Sequence, residues 1–301
     1  MQAENNVYHH KIQRRQTLVS YAFLMPALCF FTLFVVIPMA LGMVTSFYKY
    51  TMKEFTFIGL ENYKNLFKDE IFLKSVVNTL IIVVGSVPIV TAFSLWVSTI
   101  IYKMSSIGRS FYRGVFYLPV VTGSVAVVVV WKWIFNRYYG ILNYLMKGLG
   151  IISKDVAWLG SSDTALWCIL VILFTTSIGQ PIVLYIASLG NIDKSLIEAA
   201  EVDGATPMQV FWRIKWPNLM PTTLYIVVIT TINSFQCFAL IQLLTSGGPN
   251  YSTSTVMYYL YDTAFRIYDY GYANSMGVIL ALLIGVFSAV QFKTMGNKID
   301  Y

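Results

Sequence analysis

The chain has 301 residues, 57% of them hydrophobic and 12% charged, with a formal net charge of +7. Soluble domains carry about 25% charged residues, so this composition excludes an ordinary water-soluble globule and points to an integral membrane protein. The positive balance suits anionic lipid headgroups as a partner; no Lys/Arg cluster is interleaved with aromatics on a polar segment, so no nucleic-acid partner is expected.

Residues 1–20 form a polar leading segment with Lys11, Arg14 and Arg15. Six apolar runs follow, at 21–47, 76–102, 111–135, 164–189, 224–244 and 272–292. Each is long enough for a helix to cross about 30 Å of hydrocarbon. The first exceeds a signal-peptide core and lacks an A-x-A cleavage site, so it is expected to remain as a span. The runs do not alternate with the period of two that barrel strands need. The expected fold is therefore all-α: a six-helix transmembrane domain over 21–292 with a short tail at 293–301.

Six spans place both termini on one side. The leading cations, Arg109 and Arg113 in the second loop, and Lys293 and Lys298 at the end favour the cytoplasm for that side. Lys49, Lys53, Lys64, Lys68 and Lys74 oppose this, diluted by Glu54, Glu61, Asp69 and Glu70. Aromatics in the outer loops (Phe57, Tyr63, Phe67, Tyr138, Tyr139, Tyr258, Tyr259, Tyr261) read as interfacial anchors. Pro88, Pro119 and Pro181 lie inside spans and can kink them. Cys29, Cys168 and Cys237 sit in apolar runs without C-x-x-C spacing, so neither a disulfide framework nor a zinc site is expected.

The polar segment 191–221 separates the fourth and fifth runs. Asp193 or Ser195 can cap a short helix, with Ser195 and Glu198 forming an S-x-x-E box. Gly204 can take the left-handed conformation that ends it. Thr206-Pro207-Met208-Gln209 opens a second helix, with Thr206 as N-cap and Gln209 closing the box. Trp216 precedes Pro217, so this helix is expected to stop there. The product is two short helices around a glycine corner outside the membrane.

At these residues the chain resembles the membrane-spanning permease subunits of binding-protein-dependent ATP-binding-cassette (ABC) importers. Glu198, Ala199, Ala200, Asp203, Gly204 and Ala205 match the family's E-A-A and D-G-A core, and Ile214, Pro217, Leu219 and Pro221 continue it at fixed spacing. Trp216 stands where leucine is usual, and Asp193 where proline is common. Phe57–Tyr63, Asn78-Thr79, Tyr117-Leu118-Pro119, Trp131–Asn136, Leu243–Pro249 and Gly271-Tyr272-Ala273 resemble the sugar-importing branch, closest to the maltose-permease type. The resemblance implies a type I importer transmembrane domain in a bacterial cell membrane. It implies four kinds of partner: a second homologous permease subunit (a heterodimer), two copies of a cytoplasmic ATPase, an extracytoplasmic solute-binding protein and a sugar. Residues 198–205 would dock the ATPase. This chain would bind no cofactor, ATP and Mg being held by the ATPase, and would not itself be an enzyme.

In the fifth run Thr230, Asn233, Ser234 and Cys237 fall at i, i+3, i+4 and i+7, one helical face. Hydrogen bonding between helices explains such a stripe, and so does a wet path for a hydroxyl-rich solute. The resemblance assigns these four to the sugar path, and with them Ser177, Ile178, Gly179 and Ile182 of the fourth run, where Ile182 replaces an aromatic. The alternative class is an ion-gradient-driven secondary carrier, which would be expected to bury charge at the midplane; the runs carry no central Asp or Glu. No G-x-x-x-x-G-K-[ST], H-E-x-x-H or G-x-S-x-G motif is present, so neither a P-loop ATPase nor those hydrolases fit.

Overall fold

The computed structural model describes residue 17 and residues 19–296. Lys11, Arg14, Arg15 and Lys298, with most of segment 1–20 and part of tail 293–301, lie outside the described residues. The chain is helical, as its composition requires, with one addition. A hairpin of β1 (Tyr48–Tyr50) and β2 (Phe55–Phe57) pairs Tyr48 with Phe57 and Tyr50 with Phe55. Tyr48 stacks on Phe55 at 4.7 Å between ring centroids and meets Phe57 edge-on at 5.2 Å. The alternating aromatics of this hairpin thus form cross-strand pairs; of these the sequence reading named only Phe57, as an anchor.

Among the described residues, four helices are long and apolar enough to cross a membrane: α1 (Val19–Thr45), α3 (Glu70–Tyr102), the fourth-run helix Ala165–Gly190, and α14 (Tyr270–Gly296). Helix α2 (Glu61–Leu66) is a short turn between hairpin and α3. The third expected span is not straight. It divides into α4 (Ser106–Val121) and α5 (Ser124–Ile134), which meet at 96°. Pro119 lies in the last turn of α4, and Thr122 and Gly123 leave the helix in extended conformations; proline followed by a glycine break is a sufficient cause. A short α6 (Ile141–Gly148) follows. The fourth run is α7 (Ala165–Ser177) and α8 (Gly179–Gly190), interrupted at Ile178. Pro181 has no amide hydrogen to offer Ser177, four residues back. Pro88 breaks nothing: α3 runs through it.

The segment 191–221 departs from expectation at its end. Helix α9 (Lys194–Val202) and α10 (Pro207–Val210) flank the corner. The second helix does not stop before Pro217. A π-helical segment Phe211–Lys215 carries it directly into α11 (Trp216–Phe235). The Trp216 amide donates to the Phe211 carbonyl five residues back, and this wider turn accommodates a residue lacking an N–H. The fifth span is therefore one rod continuous with α10. It has membrane-spanning length at 1.5 Å per residue, but its threonines, prolines and asparagine keep it out of the strongly apolar set. Short helices α12 (Ala239–Leu244) and α13 (Val256–Asp262) complete the chain.

Helix α3 is the hub, packing on α7, α8, α11 and α13. Its buried face mixes Ile82, Val83, Val87 and Val90 with Ser75, Asn78, Thr79, Ser86, Ser94 and Ser98. Small and hydroxyl residues let membrane helices approach closely and bond across. Ser75 bonds Ser254 at 2.8 Å, and Asn78 Nδ2 donates to the Tyr251 and Ser254 carbonyls. Thr79 Oγ1 accepts from the Val256 amide. Asp69 binds the hairpin end together. Its Oδ1 caps α3 at the Ile71 and Phe72 amides, while its Oδ2 accepts from Tyr259 at 2.7 Å and Tyr272 at 2.9 Å. Burial first, and then the adjacent carboxylate, raise the Tyr259 hydroxyl well above its usual pKa, so it stays a donor. Among the four long apolar helices α1 differs: no residue of its apolar window is buried, and Asn274 donates to Thr45 at its end at 2.7 Å.

Candidate functional site

Two features stand apart from the packed helices, a polar cavity and the corner of segment 191–221. The cavity, about 310 Å³, lies where α4 breaks into α5 and faces the α7–α8 interruption and α11. Its polar lining is Thr122, Ser124, Thr176, Ser177, Gln180, Thr230 and Asn233, and none of its lining residues is charged. The breaks explain why polar groups collect here. Thr122 and Ser124 flank the kink, and Pro181 deprives the Ser177 carbonyl of its helical donor. Pro119, Tyr225, Ile226 and Ile229 supply apolar wall.

Among the residues predicted for the path, Thr230, Asn233 and Ser177 line this cavity. Ser234 does not line it: at the adjoining edge of the same face it is buried and bonded to Ser86 at 2.8 Å. Cys237 lies beyond the end of the helix at Phe235, so the i+7 spacing no longer applies; it is buried, and its carbonyl accepts from Thr255. Ile178 and Ile182 pack with Val90, Val97, Ile101 and Ile186. Gly179 is a contact glycine: a Cβ there would lie 2.4 Å from the Phe116 carbonyl oxygen of α4. These five residues are enclosed by the chain's own helices and do not line the cavity. Thr122, Ser124 and Tyr225 do line it, and the sequence reading omitted them. The signal for the first two was the polar Thr-Gly-Ser interruption after Pro119.

The corner is built as its residues dictate. Asp193 Oδ1 accepts from the Ser195 amide at 2.9 Å and caps α9; Asp193 is thus the N-cap, and the Ser195–Glu198 box is not used. Hydrogen bonds from the Ser195 amide, then its hydroxyl, hold the Asp193 carboxyl below its ordinary pKa. The helix ends with Ala205 N–H on the Ala200 carbonyl and Gly204 N–H on Glu201, with Gly204 at φ +80°, a Schellman closure. Thr206 and Gln209 then form the predicted reciprocal capping box. Glu198, Ala199, Asp203 and Gly204 are exposed, and Ala200 and Ala205 partly so. Exposed apolar side chains crowd the same loop: Leu196, Val202 (88% exposed) and Met208. A Cβ on Gly204 would meet nothing within this chain.

A helical membrane domain with a neutral polar cavity and a rigid external corner defines a solute permease. The chain belongs to the family of binding-protein-dependent transport system inner membrane components, whose profile matches residues 67–293. It is 34% identical over 295 residues to the probable ABC transporter permease protein YesP of Bacillus subtilis (strain 168), covering 96% of this chain and 94% of that one. It is 32% identical to the multiple sugar-binding transport system permease protein MsmF of Streptococcus mutans, over 91% and 93% of the two chains. The lactose transport system permease protein LacF of Rhizobium radiobacter is 28% identical, over 93% and 95%. Among solved structures, a bacterial ABC transporter involved in the import of the acidic polysaccharide alginate superposes with a TM-score of 0.82 at 23% identity, over 94% of this chain and 96% of that one. At that identity the match speaks for the fold alone.

Proposed function

We propose that this chain forms half of the translocation path of an ATP-driven importer for a neutral sugar, an oligosaccharide in the simplest case. The observation that carries this reading is the lining of the cavity, where hydroxyl and amide groups converge without a charged side chain. Neutral donors and acceptors match a hydroxyl-rich solute, and a phosphorylated one would need a cation that the lining lacks. The names of the relatives MsmF and LacF agree. Thr230, Asn233 and Ser177 would contact the solute. Glu198, Ala199, Ala200, Asp203, Gly204 and Ala205 would dock a separate ATPase that supplies ATP and Mg. A second permease subunit would complete the path, and a binding protein would deliver the solute from outside, with both termini of this chain in the cytoplasm.

The test is the ATPase activity of the reconstituted complex across a panel of sugars, with and without its neighbouring binding protein. Stimulation by one sugar-loaded binding protein supports the reading and names the solute; stimulation by a charged or non-sugar solute overturns it. At the corner, Gly204→Asp is expected to leave membrane insertion intact and abolish ATPase association. A side chain at Gly204 meets nothing in this chain, although the φ of +80° strains any substitution there; unchanged association would remove the docking role.

A further inference from the structure

A second, larger cavity, about 630 Å³, lies at the opposite end of α3 from the hairpin. One wall is a single stripe of α3: Ala92, Leu95, Trp96, Thr99, Tyr102 and Lys103. Their spacing of three and four residues places them on one helical face. Along it the chemistry changes in order, from aliphatic to indole to hydroxyl to ammonium. The facing wall is α10 and its π-helical continuation, with Met208, Phe211, Trp212 and Lys215. Trp96 and Trp212 remain 60% and 55% exposed. Neither Lys103 nor Lys215 has a carboxylate within ion-pair distance among the described residues. Glu201 stands on the same rim as the one opposing charge.

We propose that this groove binds one anionic phospholipid, its acyl chain along Ala92 and Leu95, its glycerol region at Trp96 and Thr99, and its headgroup at Lys103, with Lys215 reaching the same group from the facing wall and Trp212 closing the groove beyond it. The polarity gradient is that of half a bilayer read along one helix: tryptophan marks the headgroup boundary and lysine the charged layer beyond it. A protein segment needs no such order, and an apolar pocket for a soluble ligand needs no opening to lipid. The two lysines outnumber Glu201, which sets the preference for a negative headgroup over a zwitterionic one. The second wall belongs to the rod that carries segment 191–221 into the membrane, so lipid occupancy braces the corner helix against α3.

The experiment counts lipids retained by the intact purified complex in native mass spectrometry after exposure to phosphatidylglycerol or phosphatidylcholine. The expected result is selective retention of phosphatidylglycerol, falling about fivefold for each of Lys103→Gln and Lys215→Gln, with phosphatidylcholine unchanged. Equal retention of the two lipids, or a double variant that retains phosphatidylglycerol like the wild type, overturns the proposal. Brominated phosphatidylglycerol gives the location. It should quench the emission that Trp96→Phe removes; no quenching means that protein fills the groove, and the proposal falls. Stimulation by the binding protein, measured on the same complex, reports separately on the transport reading.

Discussion

Asn233 and Ser234 are adjacent in the chain and do different work. Asn233 is exposed to the polar cavity, whereas Ser234 is buried and bonded to Ser86 on α3. Asn233→Ala is therefore expected to impair solute-stimulated transport while leaving the folded, ATPase-associated complex intact. Ser234→Ala should instead act through the helix contact, leaving Ser86 without its partner, at about 1 kcal/mol. Uptake kinetics and thermal stability of the two variants, measured side by side, separate the roles; equal loss of stability in both would make the whole stripe structural. Asp193 supplies a pH-dependent counterpart outside the membrane. Its pKa is lowered by the cap, so the cap's stabilisation is fully present above the ordinary carboxylate value of about 3.9. It is lost as pH falls through the lowered folded value. Amide exchange at Ser195 should stay protected at neutral pH and lose that protection in Asp193→Ala but not in Asp193→Asn, which keeps the accepting oxygen.

At the scale of elements, the sequence was most legible where local rules act alone. The Thr206–Gln209 box and the left-handed Gly204 each depend on a few neighbouring residues, and each is where the pattern puts it; four of the six apolar runs are long apolar helices, and the third is bent into two. It was least legible where distant elements decide. The spacing of Thr230, Asn233, Ser234 and Cys237 predicts one face, but it cannot say which neighbour meets each edge of that face, nor that the helix stops at Phe235. Trp216-Pro217 reads locally as a stop, yet the π-helical turn at Phe211–Lys215 absorbs the missing amide. Gly179 shows the same limit: its motif looks like path chemistry, and its surroundings show the close crossing of α4 over α8. Gly179→Ala should force those helices apart and cost about 1–3 kcal/mol. A thermal unfolding shift of the purified subunit checks this, and no shift would mean that the α4 backbone moves freely.

For the whole molecule, the hairpin end of α3 is held by hydrogen bonds between distant segments. Asp69 joins the start of α3 to α13 through Tyr259 and to the last span through Tyr272, while Asn78 and Thr79 hold the loop after α12. Nothing in the local sequence marks Asp69 as more than a helix cap, since its hydroxyl partners lie some two hundred positions away. Tyr259→Phe removes one charge-assisted bond and should cost about 1.5–3 kcal/mol. Asp69→Ala should cost more, because both hydroxyls lose their acceptor. Detergent-solubilised thermal stability measures both, and equal losses would mean that neither the Tyr272 bond nor the α3 cap contributes.

The continuity of the second corner helix with α11 has a mechanical meaning in the proposed cycle. From Pro207 to Phe235 the backbone is helical without a gap, a strut about 40 Å long at 1.5 Å per residue. Thr206 stands at one end of it, and Thr230 and Asn233 lie near the other. A helical strut has no slack, so a stroke delivered at the corner reaches the cavity wall at nearly full amplitude instead of dissipating at a joint. The gearing between ATP turnover and solute movement is then set by the stiffness of a single helix, whose compliant points are the π-helical turn and Pro221, where one helical hydrogen bond is missing.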